Sequence, residues 1–399
     1  MIYLDSGATT MEKPPAVAQA MARAVGEMSS PGRGNYPASQ RAAQTAFACR
    51  EAAAELFGVP SPEQVVFTGN ATHGLNIAIR TLVRPGSRVA VSGYEHNAVT
   101  RVLHSIRGVE ILVVDAPLFR PEEMLEGFRG ALRRCVDAVI CNHVSNVFGC
   151  VQPVEELAEL CRRSGTPLIV DASQSAGILP VSLEQWGAAF VAMPGHKGLY
   201  GPQGMGLLLC GQEARPLLFG GTGSASRMQT MPADLPDRLE AGTHNMPGIA
   251  GLLEGIRFVS RTGTERIARW ERMLARRAAE GLRRMPKVEI FADEKETAQS
   301  GVLSFRVKGM DCEQIGEELA RREIAVRAGL HCAPLAHRTA GTLETGTVRL
   351  SPSVFNTEMQ IDVFLRELGC ILRENAKKSI EDCQVHCEKK LKKISSDFR

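Results

Sequence analysis

Asp171 and Lys197 are the two residues of this chain whose types and positions point most directly to chemistry. Asp171 follows the apolar run that begins at Leu168, and Lys197 lies in a glycine-rich turn after a second apolar run, Ala188 to Met193. A lysine amine condenses with an aldehyde to form a Schiff base, and a carboxylate beside a pyridine nitrogen keeps that nitrogen protonated. The pair therefore suits a pyridoxal phosphate ring held between an acid and an amine. The alternative interpretation is a turn-forming aspartate and an exposed loop lysine with no joint role.

Short apolar runs separated by helical patterns must position these two residues. The runs predicted to be strands are Val65 to Thr68, Arg88 to Ser92, Glu110 to Val114, Ala138 to Asn142, Leu168 to Val170, Ala188 to Met193 and Met205 to Leu209. Helical patterns such as Gly74 to Leu82 and Val154 to Arg163 lie between them. This alternation predicts an α/β fold with a mostly parallel central sheet and helices on both faces. Ligands of such sheets bind at the carboxyl ends of the strands, which is where Asp171 and Lys197 fall.

Four motifs make the chemistry more specific. They are YLDSGATT (Tyr3 to Thr10), VDASQ (Val170 to Gln174), GHKGLYGPQGMG (Gly195 to Gly206) and VRLSPSVFNT (Val348 to Thr357). Together they resemble the class V aminotransferase family, and within it the cysteine desulfurases, including the selenocysteine lyase-like branch. The resemblance covers nearly the whole chain. It implies a fold-type I pyridoxal phosphate enzyme that forms a homodimer.

The pattern changes after about Met246. A helix from Ile249 to Met285, a strand from Gly301 to Val307, a helix from Cys312 to Arg322 and a strand from Thr347 to Leu350 predict a smaller α+β domain. We therefore expect four parts: an N-terminal segment of residues 1–15, a large cofactor-binding domain of residues 16–248, a small domain of residues 249–376, and a basic amphipathic tail of residues 377–399. The resemblance implies that the N-terminal segment packs with the small domain. The tail is predicted to be a solvated helix with one docked stripe, or a helix that binds a partner.

Composition excludes several classes of function. A net charge of +3 over 399 residues gives no reason to expect a nucleic-acid partner. No apolar run is long enough to span a bilayer, and the N-terminus lacks the pattern of a signal peptide, so we expect a cytoplasmic protein without membrane contact. The eleven cysteines show no disulfide framework and are expected to be mostly small buried residues. Cys383, His386 and Cys387 are too weak a pattern to predict a metal site, and we expect none.

The phosphate of the cofactor is expected at the start of the helix in FTGNATHGLNIAI, Phe67 to Ile79. Free N–H groups and the helix dipole favour an anion there, and Thr72 adds a hydroxyl unless it serves only as a helix cap. Two departures from the family weaken this site, because Ala71 stands where relatives often carry threonine, and Pro194 where many carry serine. The resemblance then leaves His196, and Thr243 from the partner subunit, as further phosphate ligands.

The ring of the cofactor has three predicted contacts besides Asp171 and Lys197. The resemblance places His96, in GYEHNAV, on the ring face, where an imidazole can also transfer a proton near neutral pH. Gln174 is expected to bond the phenolic oxygen of the ring. Asn146 is expected near the same oxygen and near the substrate carboxylate, unless it only forms a turn.

Substrate binding and the choice of reaction depend on three more residues. The family resemblance makes Arg349 the carboxylate-binding arginine, with Arg327 a weaker candidate for the same role. It also places Cys332, in RAGLHCAPLAH, on the mobile loop whose cysteine takes sulfur from the substrate and becomes a persulfide. Positive charge on His331 or Arg327 would favour the thiolate that this attack needs. If Cys332 is instead a buried small residue, the sulfur chemistry is lost.

The resemblance implies L-cysteine as substrate, L-alanine as product and a sulfur-acceptor protein as a further partner. A selenocysteine lyase would differ mainly in its selectivity for selenium over sulfur, so the sequence leaves that alternative open. A class V aminotransferase would keep Lys197, Asp171 and Arg349 and would not need Cys332. A cofactor-free binding or sulfur-relay module is the non-enzyme alternative, and the intact Lys197 and Asp171 argue against it.

Overall fold

The computed structural model describes residues 1–32, 34–295 and 298–376. The predicted tail helix, residues 377–399, lies outside these ranges. The strands, in chain order, are β1 (Ile2–Tyr3), β2 (Val65–Thr68), β3 (Arg88–Ser92), β4 (Glu110–Val114), β5 (Ala138–Asn142), β6 (Leu168–Asp171), β7 (Phe190–Pro194), β8 (Gly206–Cys210), β9 (Val288–Phe291), β10 (Leu303–Val307), β11 (Ile324–Ala325), β12 (Arg327–Gly329) and β13 (Thr347–Leu350).

The helices, in chain order, are α1 (Pro15–Glu27), α2 (Pro37–Leu56), α3 (Ala71–Leu82), α4 (Asn97–His104), α5 (Pro121–Leu132), α6 (Val154–Ser164), α7 (Leu183–Trp186), α8 (Met246–Thr262), α9 (Thr264–Arg283), α10 (Cys312–Arg321), α11 (Pro334–Thr339) and α12 (residues 358–376). Within the described residues, no helix combines the length and the apolar character needed to cross a bilayer.

The central sheet has seven strands in the order β2-β8-β7-β6-β5-β3-β4. The pairs β4-β3, β3-β5, β5-β6 and β6-β7 are parallel, and β8 runs antiparallel to both of its neighbours. The structure confirms the α/β class with a mostly parallel sheet. Four predicted strands, β2 to β5, have the predicted bounds, and the others begin or end within two residues of them.

Helices cover both faces of this sheet, as the residues of β5 show. Val139 and Cys141 belong to one buried apolar cluster and Ala138 and Ile140 to another, because successive side chains of a strand point to opposite faces. Helices α2, α5, α6 and α8 contribute to the first cluster, and α3 and α4 to the second. A strand buried on both faces has no polar side to show, which explains why the strands read as continuous apolar runs.

The prediction of one long helix from Ile249 to Met285 is wrong. The chain forms α8 and α9, which are separated at Gly263, a residue with φ of 85°. Its N–H donates to the carbonyl of Val259 and ends α8 there. A residue with a β-carbon is strained at this φ, so the glycine fixes the break, while the apolar periodicity continues across it.

A second sheet, β12-β13-β10-β9, is antiparallel and lies in the C-terminal part of the chain. The N-terminal segment is attached to this part, because β1 pairs in parallel with β11 and Leu4 is buried among residues of β10 and β13. The domain limits at residues 15, 248 and 376 stay a prediction. Helix α8 nevertheless packs mainly against α1 and α2, beside the central sheet.

Candidate active site

The carboxyl ends of three neighbouring parallel strands form the floor of a cleft. Strand β5 ends at Asn142, β6 at Asp171 and β7 at Pro194, and Asn142 lies directly opposite Asp171 in the register. The cleft has a volume of about 120 Å³. Eight of the predicted site residues line it: Ala71, Thr72, His96, Asn146, Asp171, Gln174, His196 and Lys197.

Lys197 lies three residues beyond the end of β7, and its amine makes no hydrogen bond with a described residue. Burial, and after it the positive charge of Arg349, lowers the pKa of this amine to about 8, while the carboxylate of Asp171 opposes the shift. About 10% of the amine is therefore unprotonated at pH 7, far more than for an ordinary lysine. Only the unprotonated amine can attack an aldehyde.

Asp171 is 4% exposed and is held in place by the chain that follows it. Its Oδ1 accepts the backbone N–H of Ser173 at 2.9 Å, whereas Oδ2 accepts no hydrogen bond from a described residue. One carboxylate oxygen thus remains available at the end of the strand. A protonated ring nitrogen is a suitable donor for it.

The N-terminus of α3 provides an anion site at one end of the cleft. Asn70 caps the helix, because its side chain accepts the N–H of His73 at 2.9 Å, so the interpretation of Thr72 as a mere cap is wrong. The backbone N–H groups of Ala71 and Thr72 make no hydrogen bond with described residues, and Thr72 is exposed. Free N–H groups at a helix start bind phosphate.

His196 lies at the same cleft but carries no charge near neutral pH. Its Nδ1 is 3.0 Å from the hydroxyl of Thr9, and burial lowers the pKa of the ring to about 4. A neutral imidazole offers a phosphate one N–H and no ionic attraction. Pro194 also lines the cleft and has neither a hydroxyl nor an N–H to offer.

His96 precedes α4 and is oriented by it. Its Nδ1 accepts the backbone N–H of Ala98 at 3.0 Å, so the neutral ring carries its proton on Nε2. Burial lowers the pKa of the ring to about 4, and the nearby Asp171 opposes that shift only in part. His96 therefore lines the cleft as a neutral ring in a fixed orientation.

Gln174 and Asn146 connect the cleft to other parts of the chain. The Gln174 side-chain amide donates to the carbonyl of Gly7 at 2.9 Å, and that of Asn146 donates to the carbonyl of His331 at 2.8 Å. Each amide group has a second N–H that can serve a ligand. Asn146 Oδ1 is buried and has no partner within the described structure, which is the expected state of an atom that awaits a ligand donor.

Glu95 is a buried residue that sequence reasoning gave no role. One of its oxygens, Oε1, accepts the backbone N–H of Asn142 at 2.7 Å and the hydroxyl of Ser92 at 2.5 Å. Burial raises the pKa of this carboxyl to about 8. Glu95 thus ties the end of β5 to the end of β3 and supports the cleft from below.

Arg349 does not line the cleft, although its charge acts on Lys197. Its side chain is 1% exposed, with Nη2 2.5 Å from Asp5 Oδ1 and Nη1 donating to the carbonyl of Asn146 at 2.9 Å. Nε is buried without a partner in the described structure. Asp5, which lies in the YLDSGATT motif, was missed as a functional residue. It occupies one of the donors that a substrate carboxylate would use.

Cys332 lies on an exposed loop beside Arg327. The Arg327 guanidinium donates to Sγ at 3.4 Å, and the Cys332 carbonyl accepts the N–H of Asn97, the residue after His96, at 2.9 Å. Cys332 and Cys135 are the exposed cysteines among the described residues. The sulfur is accessible, contacts a cation and is tied to the rim of the cleft.

The expectation that His331 supplies positive charge to Cys332 is wrong. Its ring is buried, with Nε2 3.1 Å from the carbonyl and the hydroxyl of Thr347, and it stacks on His337. Burial, with the charge of Arg349 next in importance, lowers the pKa of His331 to about 2. Arg327 is therefore the cation at the sulfur, and His331 anchors the loop.

Thr243 is exposed and does not line this cleft. Its segment is anchored by Glu240, whose buried carboxylate contacts Arg50 at 2.6 Å and His244 at 2.6 Å. The anchor presents Thr243 to solvent at a fixed place. Thr243 could therefore contact a cofactor only in the cleft of a second copy of the chain.

The residues present fit pyridoxal phosphate. A reactive amine and a free carboxylate oxygen lie at the strand ends, a neutral flat ring lines the cleft, and a helix start supplies unbonded N–H groups. No group of three or more His, Cys, Asp or Glu side chains in the described ranges is arranged to hold a metal ion. The site therefore fits an organic phosphate with an aldehyde.

Comparisons with known proteins agree with this geometry. The family model of aminotransferase class-V matches residues 2–364, so the chain belongs to the class-V aminotransferase family. A probable cysteine desulfurase of Methanothermobacter thermautotrophicus is 33% identical over 94% of each chain. One from Mycolicibacterium paratuberculosis is 35% identical over 94% of this chain, which spans 56% of that longer relative.

A solved structure gives the same result for the fold. The cysteine desulfurase of Thermococcus onnurineus NA1, determined in its apo form, has a TM-score of 0.84 and 30% identity, and the match covers 94% of this chain and 95% of that one. The predicted fold-type I architecture is confirmed by this likeness.

Proposed function

We propose that this protein is a cysteine desulfurase, which removes sulfur from L-cysteine, releases L-alanine and retains the sulfur as a persulfide on Cys332. One observation carries the proposal. An exposed cysteine in contact with a guanidinium is tied to the rim of a cleft that contains the amine and the acid of a pyridoxal phosphate site. An aminotransferase would need the cleft and would have no use for the thiol.

Pyridoxal phosphate, when bound, supplies the electron sink that stabilises negative charge on the α-carbon of the substrate. Asp171 would hold the ring nitrogen and His96 would cover the ring. Gln174 and Asn146 would hold its phenolic oxygen. The phosphate would be bound by the start of α3 with Thr72 and His196, and by Thr243 of the partner subunit in the homodimer that we also propose.

Lys197 is the group that moves protons. With a pKa lowered to about 8, its amine exchanges a proton readily near neutral pH, so it can take the α-proton and return a proton to carbon. Arg327 stabilises negative charge on Cys332 Sγ through its contact at 3.4 Å. Arg349 holds the substrate carboxylate, provided that Asp5 gives up Nη2.

The sulfur transfer itself is a displacement at the substrate sulfur. The thiolate of Cys332 attacks that sulfur and forms an S–S bond, while the bond between sulfur and Cβ of the substrate breaks. The electron pair of the broken bond ends in a new C–H bond at Cβ, with the proton returned by Lys197. Alanine leaves, and a thiol or an acceptor protein removes the persulfide sulfur.

Replacement of the two exposed cysteines tests the proposal. We expect Cys332→Ala to abolish alanine and sulfide formation from cysteine in the presence of a thiol, with pyridoxal phosphate still bound and still reducible onto Lys197 by borohydride. Cys135→Ala is the matched control, since Cys135 is also exposed and also has a positive φ, and it should behave as wild type.

Unchanged turnover of cysteine by Cys332→Ala would refute the assignment. Alanine formation from selenocysteine that survives the same substitution would identify a selenocysteine lyase, in which the added thiol takes the selenium and the electron pair of the broken C–Se bond ends in a new C–H bond. Amino-group exchange between an amino acid and a ketoacid, independent of Cys332, would identify an aminotransferase.

A further inference from the structure

A groove of about 270 Å³ lies away from the proposed active site, between α9 and the residues that flank β9 and β10. One wall is basic and is formed by four arginines of α9: Arg269, Arg272, Arg276 and Arg283. At 100° per residue these side chains fall within about 60° of the helix circumference, and they extend over about 21 Å of its length. They form one continuous basic stripe.

Three of the four arginines have no acidic partner among the described residues. Arg269, Arg272 and Arg283 are exposed and form no ion pair with a described residue, while Arg276 pairs with Glu280 at 3.0 Å. The acid that lines the groove, Asp293, accepts the backbone N–H groups of its own loop at 2.8 Å and 3.0 Å. Among the described residues that line the groove, four arginines stand against one aspartate, so this lining carries a net positive charge.

The floor of the groove is apolar. It is lined by Met273, Ala275, Ala279, Ala292 and Leu303. Arginines beside an apolar floor favour a ligand that has both carboxylates and apolar side chains. None of the described residues that line the groove is aromatic, so they offer no surface on which a nucleic-acid base could stack, and a protein segment fits the groove better than a single-stranded nucleic acid.

The wall that carries the arginines is held firmly. On the opposite side of α9, Glu271 is 4% exposed and accepts the hydroxyl of Tyr200 at 3.3 Å. Gly301 packs so closely on Glu271 that a β-carbon at residue 301 would lie 2.6 Å from the Glu271 β-carbon. The groove is thus largely formed before any ligand arrives, which reduces the entropic cost of binding.

We propose that this groove docks an acidic, amphipathic segment of a partner protein, with carboxylates on the arginine stripe and apolar side chains on the floor. The tail of this chain, residues 377–399, is itself net basic and does not have the complementary charge. The proposal does not depend on the reaction at Lys197, because none of the arginines of the stripe belongs to the active site.

A labelled peptide tests the proposal on the full-length protein loaded with its cofactor. The probe is a helix-forming peptide of about sixteen residues, long enough to follow the stripe, with glutamates on one face and leucines on the adjacent face. Binding is measured by fluorescence anisotropy at low and high salt. We expect Arg269→Glu with Arg272→Glu to weaken binding at least tenfold at low salt, and salt to reduce that difference.

Two other arginines, on α9 and directly after it, offer a control of equal charge. Arg266 on α9 and Arg284, the residue that follows α9, are exposed, lie about 60° outward from Arg269 and do not line the groove. Arg266→Glu with Arg284→Glu changes the net charge by the same amount and should change the affinity less than threefold. Cysteine turnover should be unaffected in both double variants.

Three results would overturn the proposal. Equal weakening by the two double variants would show that only the overall charge of the protein matters. Equal affinity for a peptide of the same composition in scrambled order would show that the apolar floor is not used. Tighter binding of a single-stranded RNA of sixteen nucleotides, weakened by the groove variant, would identify a nucleic-acid site instead.

Discussion

The lowered pKa of Lys197 leads to a quantitative prediction about the protein freed of its cofactor. The amine has a pKa of about 8 in place of the usual 10.5. At pH 7 about 10% of the amine is then unprotonated, against roughly 0.03% for an ordinary lysine, which is a difference of about 300-fold. Modification of Lys197 by an aldehyde should therefore rise with pH around a midpoint near 8.

The assay uses a small aldehyde without a ring nitrogen or a phosphate, so that only the amine is tested. Protein stripped of cofactor with hydroxylamine is incubated with benzaldehyde and cyanoborohydride between pH 6 and pH 10. Mass spectrometry of the Lys197 peptide then gives the modified fraction. Exposed Lys287 provides the reference in the same digest. A lysine of lower basicity is also a weaker nucleophile, so the midpoint is a better measure than the absolute rate.

Substitution of Asp171 tests the direction in which its carboxylate shifts the pKa of Lys197. The carboxylate favours the protonated amine, so Asp171→Asn should move the midpoint below that of wild type. A midpoint for Lys197 at or above that of Lys287 would refute the argument from burial and from the charge of Arg349. An upward movement in Asp171→Asn would refute the electrostatic argument even if the wild-type midpoint were correct.

Three further predictions concern neighbouring groups. Asp5→Asn should lower the KM for cysteine several-fold by releasing Arg349, and should cost about 3–5 kcal/mol of unfolding free energy because a buried guanidinium loses its counter-charge. Steady-state kinetics and thermal melts would show the two effects, and an unchanged KM would mean that Arg349 does not hold the substrate carboxylate. Ala71→Thr should tighten pyridoxal phosphate binding about tenfold, as measured by titration of the apoprotein, if the added hydroxyl reaches the phosphate. His96 and His196, whose pKa values lie near 4, gain protons only well below pH 6, so alanine formation should show no loss from either group between pH 6 and pH 8; an acid limb in that range that disappears in His96→Gln would contradict this.

Much of the central sheet could be predicted because its strands are buried on both faces. Runs such as Arg88–Ser92 and Ala138–Asn142 end where the apolar residues end, and in a parallel sheet these ends lie at one edge. The positions of Asp171 and Lys197 at a common cleft follow from that rule. The break at Gly263 could not be read from periodicity, since the apolar pattern continues through it.

Contacts between distant parts of the chain were not predictable. Asp5 and Arg349 are separated by 344 residues, and no local pattern links the first strand to the last. The charge state of His331 was predicted wrongly because local sequence does not show burial. A histidine between glycine, leucine and cysteine reads as part of an exposed loop, but its ring is enclosed by Thr347 and His337.

The register of the second sheet brings two arginines together, so their charges must be balanced jointly. Arg327 in β12 lies directly opposite Arg349 in β13, and like charges in that position repel each other. In the structure the two cations are accompanied by one carboxylate, from Asp5, and by the sulfur of Cys332. If that sulfur ionises and a substrate carboxylate enters, the two new anions balance the two arginines, and Asp5 becomes the surplus charge. When the substrate carboxylate and the Cys332 thiolate are both present, charge balance therefore favours the release of Asp5 from Arg349. Because Arg327 and Arg349 lie on paired strands, binding of the carboxylate and formation of the thiolate are electrostatically coupled.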